Sequence, residues 1–414
     1  MNVRRSAAVL AAVAVISTAA APAALADEAS PSPSVALPSG LYGTSDPTYD
    51  GVWRQSLALL AQDTVGVKPA TKTVDWLVGQ QCTEGGFAAY RADADKACDA
   101  KTMLDSNSTA AAVQALVALG GHDGQVGKAV TWLKSVQNED GGWGYAAGGA
   151  SDTNSTGIVV GALAAAGEKP AEVTSSKGGK SPYDALVKLA VPCDDKGGGA
   201  FAYQPDKKGK LAANADATAA GVLGGLGKGL VTTAGKTQDG DDCSDSGTLT
   251  AGQAAGNGAA YLVGALTDGS YLKSSLAGAE DQPDYSNTAD AVVALAAAGR
   301  TADTRKPLAW LEKNSADWAA QSGPAAYAQL IFAAHAAGAD PSEFGGQDLV
   351  RQLNATGPAP QATDSSGKAD KATEGEKKDD GDSGLGVWWI IGVGLVAGIG
   401  IGFLLSGRNK KQQL

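Results

Sequence analysis

The sequence predicts an all-α fold in which helical hairpins repeat around a closed double ring. The first observation is a recurring phrase. Residues 137–143 (QNEDGGW) precede a polar cluster at 152–156 and an Ala-rich run, and a near copy occupies residues 80–87 and 105–109. This self-similarity, at a period of roughly 45 to 60 residues, is typical of stacked helical hairpins. The second observation is that each unit joins two unlike helices, one amphipathic and one apolar nearly all round.

Five units follow one another along the chain, preceded by a leading helix at 49–60, so we expect eleven or twelve helices. In each unit the amphipathic helix, such as 129–136 with Lys134 on its polar side, belongs to an outer layer. The small apolar helix, such as 110–119, has no polar stripe and must be surrounded on all sides. Two concentric layers closed into a ring meet both requirements and leave no exposed ends.

Glycines are frequent in the apolar helices, at Gly161, Gly221, Gly224 and Gly225. Glycine costs a helix about 1 kcal/mol per position relative to alanine. We therefore expect each of them to allow a close approach between backbones of the inner layer.

The start of the chain predicts export. Residues 1–26 contain Arg4 and Arg5, a long apolar run and a small-residue ending, the pattern of a secretory signal peptide. Residues 27–40, rich in Pro and Ser, predict a flexible lead. The folded domain is then expected at 41–354, long enough for one large domain or two ordinary ones.

The end of the chain predicts a membrane anchor. Residues 355–386 lack apolar periodicity and predict a disordered linker. Residues 387–405 carry no charge and predict a single transmembrane helix, and the basic tail at 406–414 belongs on the cytoplasmic side. The chain is thus expected to be a single-pass type I membrane protein with its bulk outside the cell. Gly394, Gly398 and Gly402 lie four apart, which suits either a membrane dimer or the ordinary abundance of Gly in such helices.

Cysteine usage and charge narrow the class of protein further. Four cysteines in an exported chain predict two disulfides, with Cys82 paired to Cys98 and Cys193 to Cys243 favoured among three possible pairings. The formal net charge is −11, and no basic aromatic patch is present, so nucleic acid is not expected as a partner.

The repeated phrase resembles the signature of the α/α-toroid superfamily of terpenoid cyclases, protein prenyltransferases and cobalamin carriers. That signature is a Gln followed by Gly and an aromatic residue, just after an outer helix. Residues 137–143 match it well, residues 80–87 match it with Phe in place of Trp, and residues 197–201 keep only the Gly and aromatic part. The resemblance covers 49–354 and implies an α/α toroid, a concentric double barrel. It is specific for the fold and weak for function.

Two of the chemistries in that superfamily can be compared with the residues of this chain. The prenyltransferases hold zinc through Asp, Cys and His, whereas this chain has only His122 and His335 and its cysteines are expected to be oxidised. We therefore predict no metal site. The cyclases use an Asp-x-Asp-Asp acid, which is spelled here by Asp239, Asp241 and Asp242 around Gly240. Its Gly-, Thr- and Lys-containing surroundings predict an exposed loop, yet these carboxylates are the catalytic candidates.

The cobalamin carriers resemble this chain in being exported and in lacking a catalytic constellation. Their ligand lies at one mouth of the barrel, against the starts of inner helices, and the resemblance implies the same place here. The corresponding polar residues are Asp105, Asn107, Thr109, Asp152, Asn154, Thr156, Asn214, Asp216, Thr218, Asn287, Thr288 and Asp290. The alternative is that they are N-caps, because Asp, Asn, Ser and Thr satisfy the free amides of a first helical turn. Aromatic residues beside this rim could stack on a ligand: Phe87, Tyr90, Trp143, Tyr145 and Tyr203.

Together these patterns favour a membrane-anchored extracellular protein that binds a small molecule without transforming it and presents it to an importer. No cofactor is expected, unless cobalamin is the bound ligand. The carriers close over cobalamin with a β-rich second domain, for which residues after 354 offer no counterpart, so a partner would have to supply that lid. The alternatives are a cyclase-like or prenyltransferase-like enzyme, acting on isoprenoid or glycan-linked substrates, and a cell-surface adhesion module that uses the barrel exterior.

Overall fold

The computed structural model describes residues 37–236, 243–244, 248–276 and 278–362. The signal peptide predicted at 1–26, the membrane span predicted at 387–405, the basic tail and the acid motif at 239–242 lie outside the described residues. Most of the expected lead and of the expected linker lie outside them as well. Among the helices that are described, none has the length and apolar character needed to cross a bilayer.

Six inner helices form a closed ring. Each packs against the next one along the chain, and the last packs against the first. They are α1 (Gly51–Thr64), α3 (Ser106–Leu119), α5 (Thr153–Ala165), α7 (Ala215–Gly225), α9 (Tyr285–Ala297) and α12 (Pro324–Ala337). This closure confirms the α/α toroid.

The remaining helices cover the ring from outside and bring the described total to thirteen α-helices, against the eleven or twelve expected. They are α2 (Thr71–Gly79), α4 (Asp123–Ser135), α6 (Pro182–Leu189), α8 (Ala251–Ala265), α10 (Thr301–Asn314), α11 (Ala316–Ser322) and α13 (Leu349–Ala355). Short 3-10 turns occur at Pro170–Glu172 and Pro341–Glu343. Two antiparallel ribbons lie in the loops: β1 (Phe87–Ala88) with β2 (Leu104–Asp105), and β3 (Leu272–Lys273) with β4 (Pro283–Asp284).

Helix α1 is the sixth inner helix, although its sequence predicted only a leading helix. It buries the polar side chains of Arg54, Gln55, Ser56 and Gln62, each of which makes a hydrogen bond. The Gln55 amide donates to the carbonyls of Gly40 and Thr73 at 3.0 and 2.8 Å. The Gln62 amide donates to Asn354 Oδ1 at 2.6 Å, which joins the two ends of the ring.

Gly161, Gly224 and Gly225 stand where backbones meet, as expected, whereas Gly221 stands against a side chain. A Cβ at Gly161 would lie 2.7 Å from the Cα of Gly229, and one at Gly224 would lie 2.8 Å from the Cα of Gly157. A Cβ at Gly221 would lie 2.5 Å from the ring of Phe201. Glycine therefore sets how closely α5, α7 and the segment after α7 can pack.

Both expected disulfides are present, Cys82–Cys98 and Cys193–Cys243, and the described residues include no free cysteine. The folded part continues beyond the expected boundary at 354. Gln361 bonds back to the start of the domain, with its backbone N–H 2.9 Å from the Lys68 carbonyl and its amide 2.8 Å from the Pro69 carbonyl.

Candidate ligand-binding site

A repeated hydrogen-bond unit fixes the loop that precedes each of four inner helices to the start of that helix. In it a loop N–H donates to the hydroxyl of a buried Thr one turn into the helix, at 2.9 to 3.1 Å. The four pairs are Phe87 with Thr109, Trp143 with Thr156, Phe201 with Thr218 and Leu272 with Thr288. These Thr side chains are therefore occupied within the fold.

The residue before each of these helices is an N-cap whose side chain accepts from a first-turn N–H. The four caps are Asp105 on Ser108, Asp152 on Ser155, Asn214 on Ala217 and Asp284 on Asn287. The Asn287 amide in turn donates to Asp284 Oδ2 at 2.8 Å. The expected site residues Asp105, Asp152, Asn214 and Asn287 thus belong to this capping system, as the alternative reading proposed.

The expected aromatic flank divides into buried and exposed members. Phe87 and Trp143 lie in the core at 0% and 1% exposure, so neither ring is accessible to a ligand at the rim. They are buried because the signature loop folds inward, and the Trp143 ring N–H donates to the Leu133 carbonyl at 2.8 Å. Tyr145 and Tyr203 remain 42% and 44% exposed. Their backbone carbonyls accept from the first turns of α3 and α5, so both stand at the helix starts.

A cavity of about 250 Å³ occupies the centre of the ring and is lined by side chains from all six inner helices. Its polar lining comes from the N-terminal halves of those helices: Asn107, Asn154, Asp216, Asp290 and Gln329. Its apolar wall includes Trp53, Leu57, Ile158, Leu223, Val293 and Phe332. Because N-terminal residues of every inner helix meet in one cavity, these helices run parallel, as expected.

The segment after α7 forms the floor of the cavity. Leu230 lines the cavity from below, and its neighbour Gly229 also lines a second opening among the C-terminal ends of the inner helices. That opening contains Asp63 and His335. Residues 228–231 therefore lie across the barrel, and we name them the plug.

Two carboxylates dominate the electrostatics of the cavity. The Asn154 amide donates to Asp216 Oδ2 at 2.7 Å, and the Gln329 amide lies 3.3 Å from both carboxylate oxygens of Asp290. Burial, with the neighbouring charge of Asp216, raises the pKa of Asp290 to about 7. Burial also raises the pKa of Asp216. Asp290 can thus hold or release a proton near neutral pH.

Two further oxygens in the lining are buried without a hydrogen-bond partner, Asn107 Oδ1 and Asn154 Oδ1. The amide N–H of Asn154 donates to Asp216, so the amide oxygen of Asn154 is the atom without a partner. Such orphaned acceptors are uncommon in folded proteins and are expected where a ligand binds.

Of the expected site residues, the structure brings Asn107, Asn154, Asp216 and Asp290 together at the cavity. No cluster of metal-ligating side chains occurs within the described ranges. The sequence interpretation missed Trp53, Gln329 and Leu230. A Gln in the mostly apolar α12 was a usable signal for Gln329.

The chain is similar to a known domain family and to known structures. Residues 52–218 match the prenyltransferase alpha-alpha toroid domain family. A protein from Actinoplanes is similar in structure, with 16% identity, a TM-score of 0.43 and coverage of 72% of this chain and 79% of that one. A sugar epimerase from a ruminal bacterium is similar at 14% identity and a TM-score of 0.41, covering 65% of this chain and 78% of that one. No curated protein sequence matches the chain.

Proposed function

Because residues 52–218 match the model of the prenyltransferase alpha-alpha toroid domain, we propose that the chain holds a small molecule in the central cavity of its toroid. One observation carries this proposal. The cavity combines an apolar wall with a few convergent polar groups, drawn from all six inner helices, which is the usual composition of a small-molecule site. This composition favours ligand binding over adhesion through the barrel exterior.

The setting of the protein is part of the same proposal. Two disulfides are typical of an oxidising compartment outside the cytoplasm. With the signal peptide and membrane span expected from the sequence, the toroid would stand at the cell surface and pass its ligand to an importer. The ligand is held unchanged in this role.

A corrinoid is the first ligand to test, because the cobalamin carriers resemble this chain. A corrinoid is much larger than a cavity of about 250 Å³. It would therefore rest over the mouth, beside Tyr145 and Tyr203, with one edge group entering the cavity. The full chain is incubated with cobalamin and passed through a gel-filtration column. Corrinoid absorbance that co-elutes at micromolar protein supports this ligand, and its complete separation from the protein removes it.

The cavity itself is tested by filling it. Ala220 lines the cavity, so Ala220→Phe should block entry and abolish binding of any ligand held there. Ala302→Phe, on the exposed side of α10, makes the same change outside the site and should leave binding intact. A ligand that binds the Ala220→Phe variant as tightly as the native chain contradicts the proposed site.

A second candidate is an enzyme that uses Asp290 as a general acid, in the manner of a terpenoid cyclase. The observation that favours it is the pKa of about 7, which lets this carboxyl carry a proton at neutral pH. The chain is incubated with linear polyprenyl substrates, and the products are analysed by mass spectrometry and chromatography. Cyclised product that disappears in Asp290→Asn supports the enzyme, whereas unchanged substrate with the native chain rules it out.

A further inference from the structure

We propose that the ligand group that enters the cavity is an organic ammonium bearing N–H donors. This inference rests on the proposed function, because it names the chemistry of the ligand held in the same cavity. It follows from the kind of polar atom that the lining leaves open, from its charge and from its aromatic faces.

Most of the open polar atoms of the lining are acceptors. Asn107 Oδ1 and Asn154 Oδ1 are buried without a partner. Asp216 receives one amide bond at Oδ2, and an ionised carboxylate can accept several more. The amide N–H groups of Asn154 and Gln329 are already directed at carboxylates. A ligand that satisfies this lining must therefore donate hydrogen bonds.

The charge of the lining is negative and has no counterion within the described residues. No Lys, Arg or His lines the cavity there. The groups that bear on Asp290 are Asp216 from α7, Asp284 at the start of α9 itself and the neutral amide of Gln329 from α12. Helix α8 carries no charged residue, and the charged residues of α10 lie outside the lining. A cation entering the cavity would relieve the repulsion between the two carboxylates.

The wall offers aromatic faces to such a cation. Trp53 and Phe332, from α1 and α12, both line the cavity. An ammonium over an indole face is attracted by the ring quadrupole, and this attraction is stronger where water is excluded. The apolar wall also accommodates an aliphatic stem, which a bare metal ion lacks. The acceptors, the aromatic side chains and the apolar wall of the cavity together fit a short amine better than a metal ion.

The inference predicts a dependence of binding on pH. An ammonium pairs with ionised Asp290, whose pKa is raised to about 7 by burial and by the charge of Asp216. Binding must therefore tighten as the pH rises from 6 to 8. The amine itself remains protonated over that range, because aliphatic amines titrate near pH 10.

The test uses 1,4-diaminobutane as the probe and 1,4-butanediol as its neutral counterpart, measured on the full chain by titration calorimetry at pH 6 and pH 8. We expect the diamine to bind at least about tenfold more tightly than the diol, since a hydrogen bond to a charged group contributes more than one to a neutral group. Binding of the diamine should strengthen from pH 6 to pH 8.

Asp290→Asn and Ala220→Phe separate this inference from the proposed function. Asp290→Asn should weaken diamine binding about tenfold or more and remove its pH dependence. Asp75→Asn, on the exposed side of α2, makes the same charge change outside the site and should have no effect. The inference of an ammonium ligand is overturned if the diol and the diamine bind equally, or if the diamine affinity is unchanged in Asp290→Asn. Either result leaves the cavity as a binding site. If the diamine still binds the Ala220→Phe variant, the proposed site is wrong. If the diamine does not bind the native chain at millimolar concentration, the inference of an ammonium ligand is wrong.

Discussion

The backbone N–H of Leu230 donates a hydrogen bond of 2.8 Å to Oε1 of Gln114, a residue 116 positions earlier on α3. This bond fixes the plug inside the barrel and so defines the depth of the cavity. Gln114 is nearly fully buried, and its amide oxygen is the acceptor for the plug. Loss of that acceptor would leave the Leu230 N–H inside the barrel without this bond.

Gln114→Ala should destabilise the protein by about 1–3 kcal/mol, because it leaves a buried N–H unpaired. Urea unfolding followed by circular dichroism measures the change. Gln321→Ala, at an exposed position of α11, is the matched control and should change stability by less than about 0.5 kcal/mol. Equal stability of the two variants would mean that the plug contributes nothing to the fold.

Gly161→Ala should also destabilise, by about 1–3 kcal/mol, because the added methyl group would lie 2.7 Å from the Cα of Gly229 and 2.9 Å from the carbonyl oxygen of Lys228. Gly264→Ala in α8 meets nothing within 4 Å and should instead stabilise, by up to about 1 kcal/mol, through helix propensity. Thermal melts of both variants give opposite signs if the plug packs as described. Two stabilised variants would contradict that packing.

Thr156→Val tests the hydrogen bond that fixes the loop of Trp143 to the start of α5. The hydroxyl of Thr156 is the acceptor for the buried N–H of Trp143, at 3.1 Å, and valine keeps the shape while removing it. We expect a loss of about 1–3 kcal/mol. Thr131→Val on the exposed side of α4 loses only a bond to its own helix, to the Gly127 carbonyl, and should be nearly neutral. Chemical denaturation of the pair measures the difference.

Asp290→Asn should change the dependence of stability on pH. The pKa of this group is about 7 in the folded protein and 3.8 when unperturbed, so the folded state binds the proton more tightly. Stability of the native chain therefore falls as the pH rises from about 4 to about 7. Asparagine does not titrate, so the variant should gain on the order of 2–4 kcal/mol relative to the native chain between pH 4 and pH 8. A stability difference that stays constant over this range would contradict the buried charge. Asp75→Asn serves as the control.

The sequence predicted the ring and its two layers because those features depend on patterns that repeat. Ala- and Gly-rich stretches such as residues 110–119 mark helices surrounded on all sides, and α3 proves to be one of them. The Ala- and Gly-rich pattern did not identify α1, because this helix buries Arg54, Gln55 and Gln62. Their partners lie outside the helix, at Ser45, at Gly40 and Thr73, and at Asn354. Burial of a polar residue is visible in a sequence only if its partner is known.

The site was predicted in part for a similar reason. A polar residue at the start of a helix is compatible both with an N-cap and with a ligand contact, and the sequence pattern did not distinguish these two roles. In the structure the cap position serves the helix, whereas Asn107, Asn154 and Asp216, two residues further on, face the cavity. Leu230 lies in the connection after α7, where no periodic pattern indicates which residue turns inward. Its place depends on Gly161 and Gln114, which are far away along the chain.

The seam between α1 and α12 has a consequence for how the protein matures. The two helices lie at opposite ends of the domain and yet are neighbours, and the hydrogen bond from Gln62 to Asn354 also ties α1 to α13, the helix that follows α12. Contacts between such distant segments are slow to form. During synthesis, the N-terminal hairpins must wait with one apolar flank uncovered until the last hairpin has emerged. A chain cut short before α12 would keep that flank exposed, and it would be a natural target for quality-control proteases.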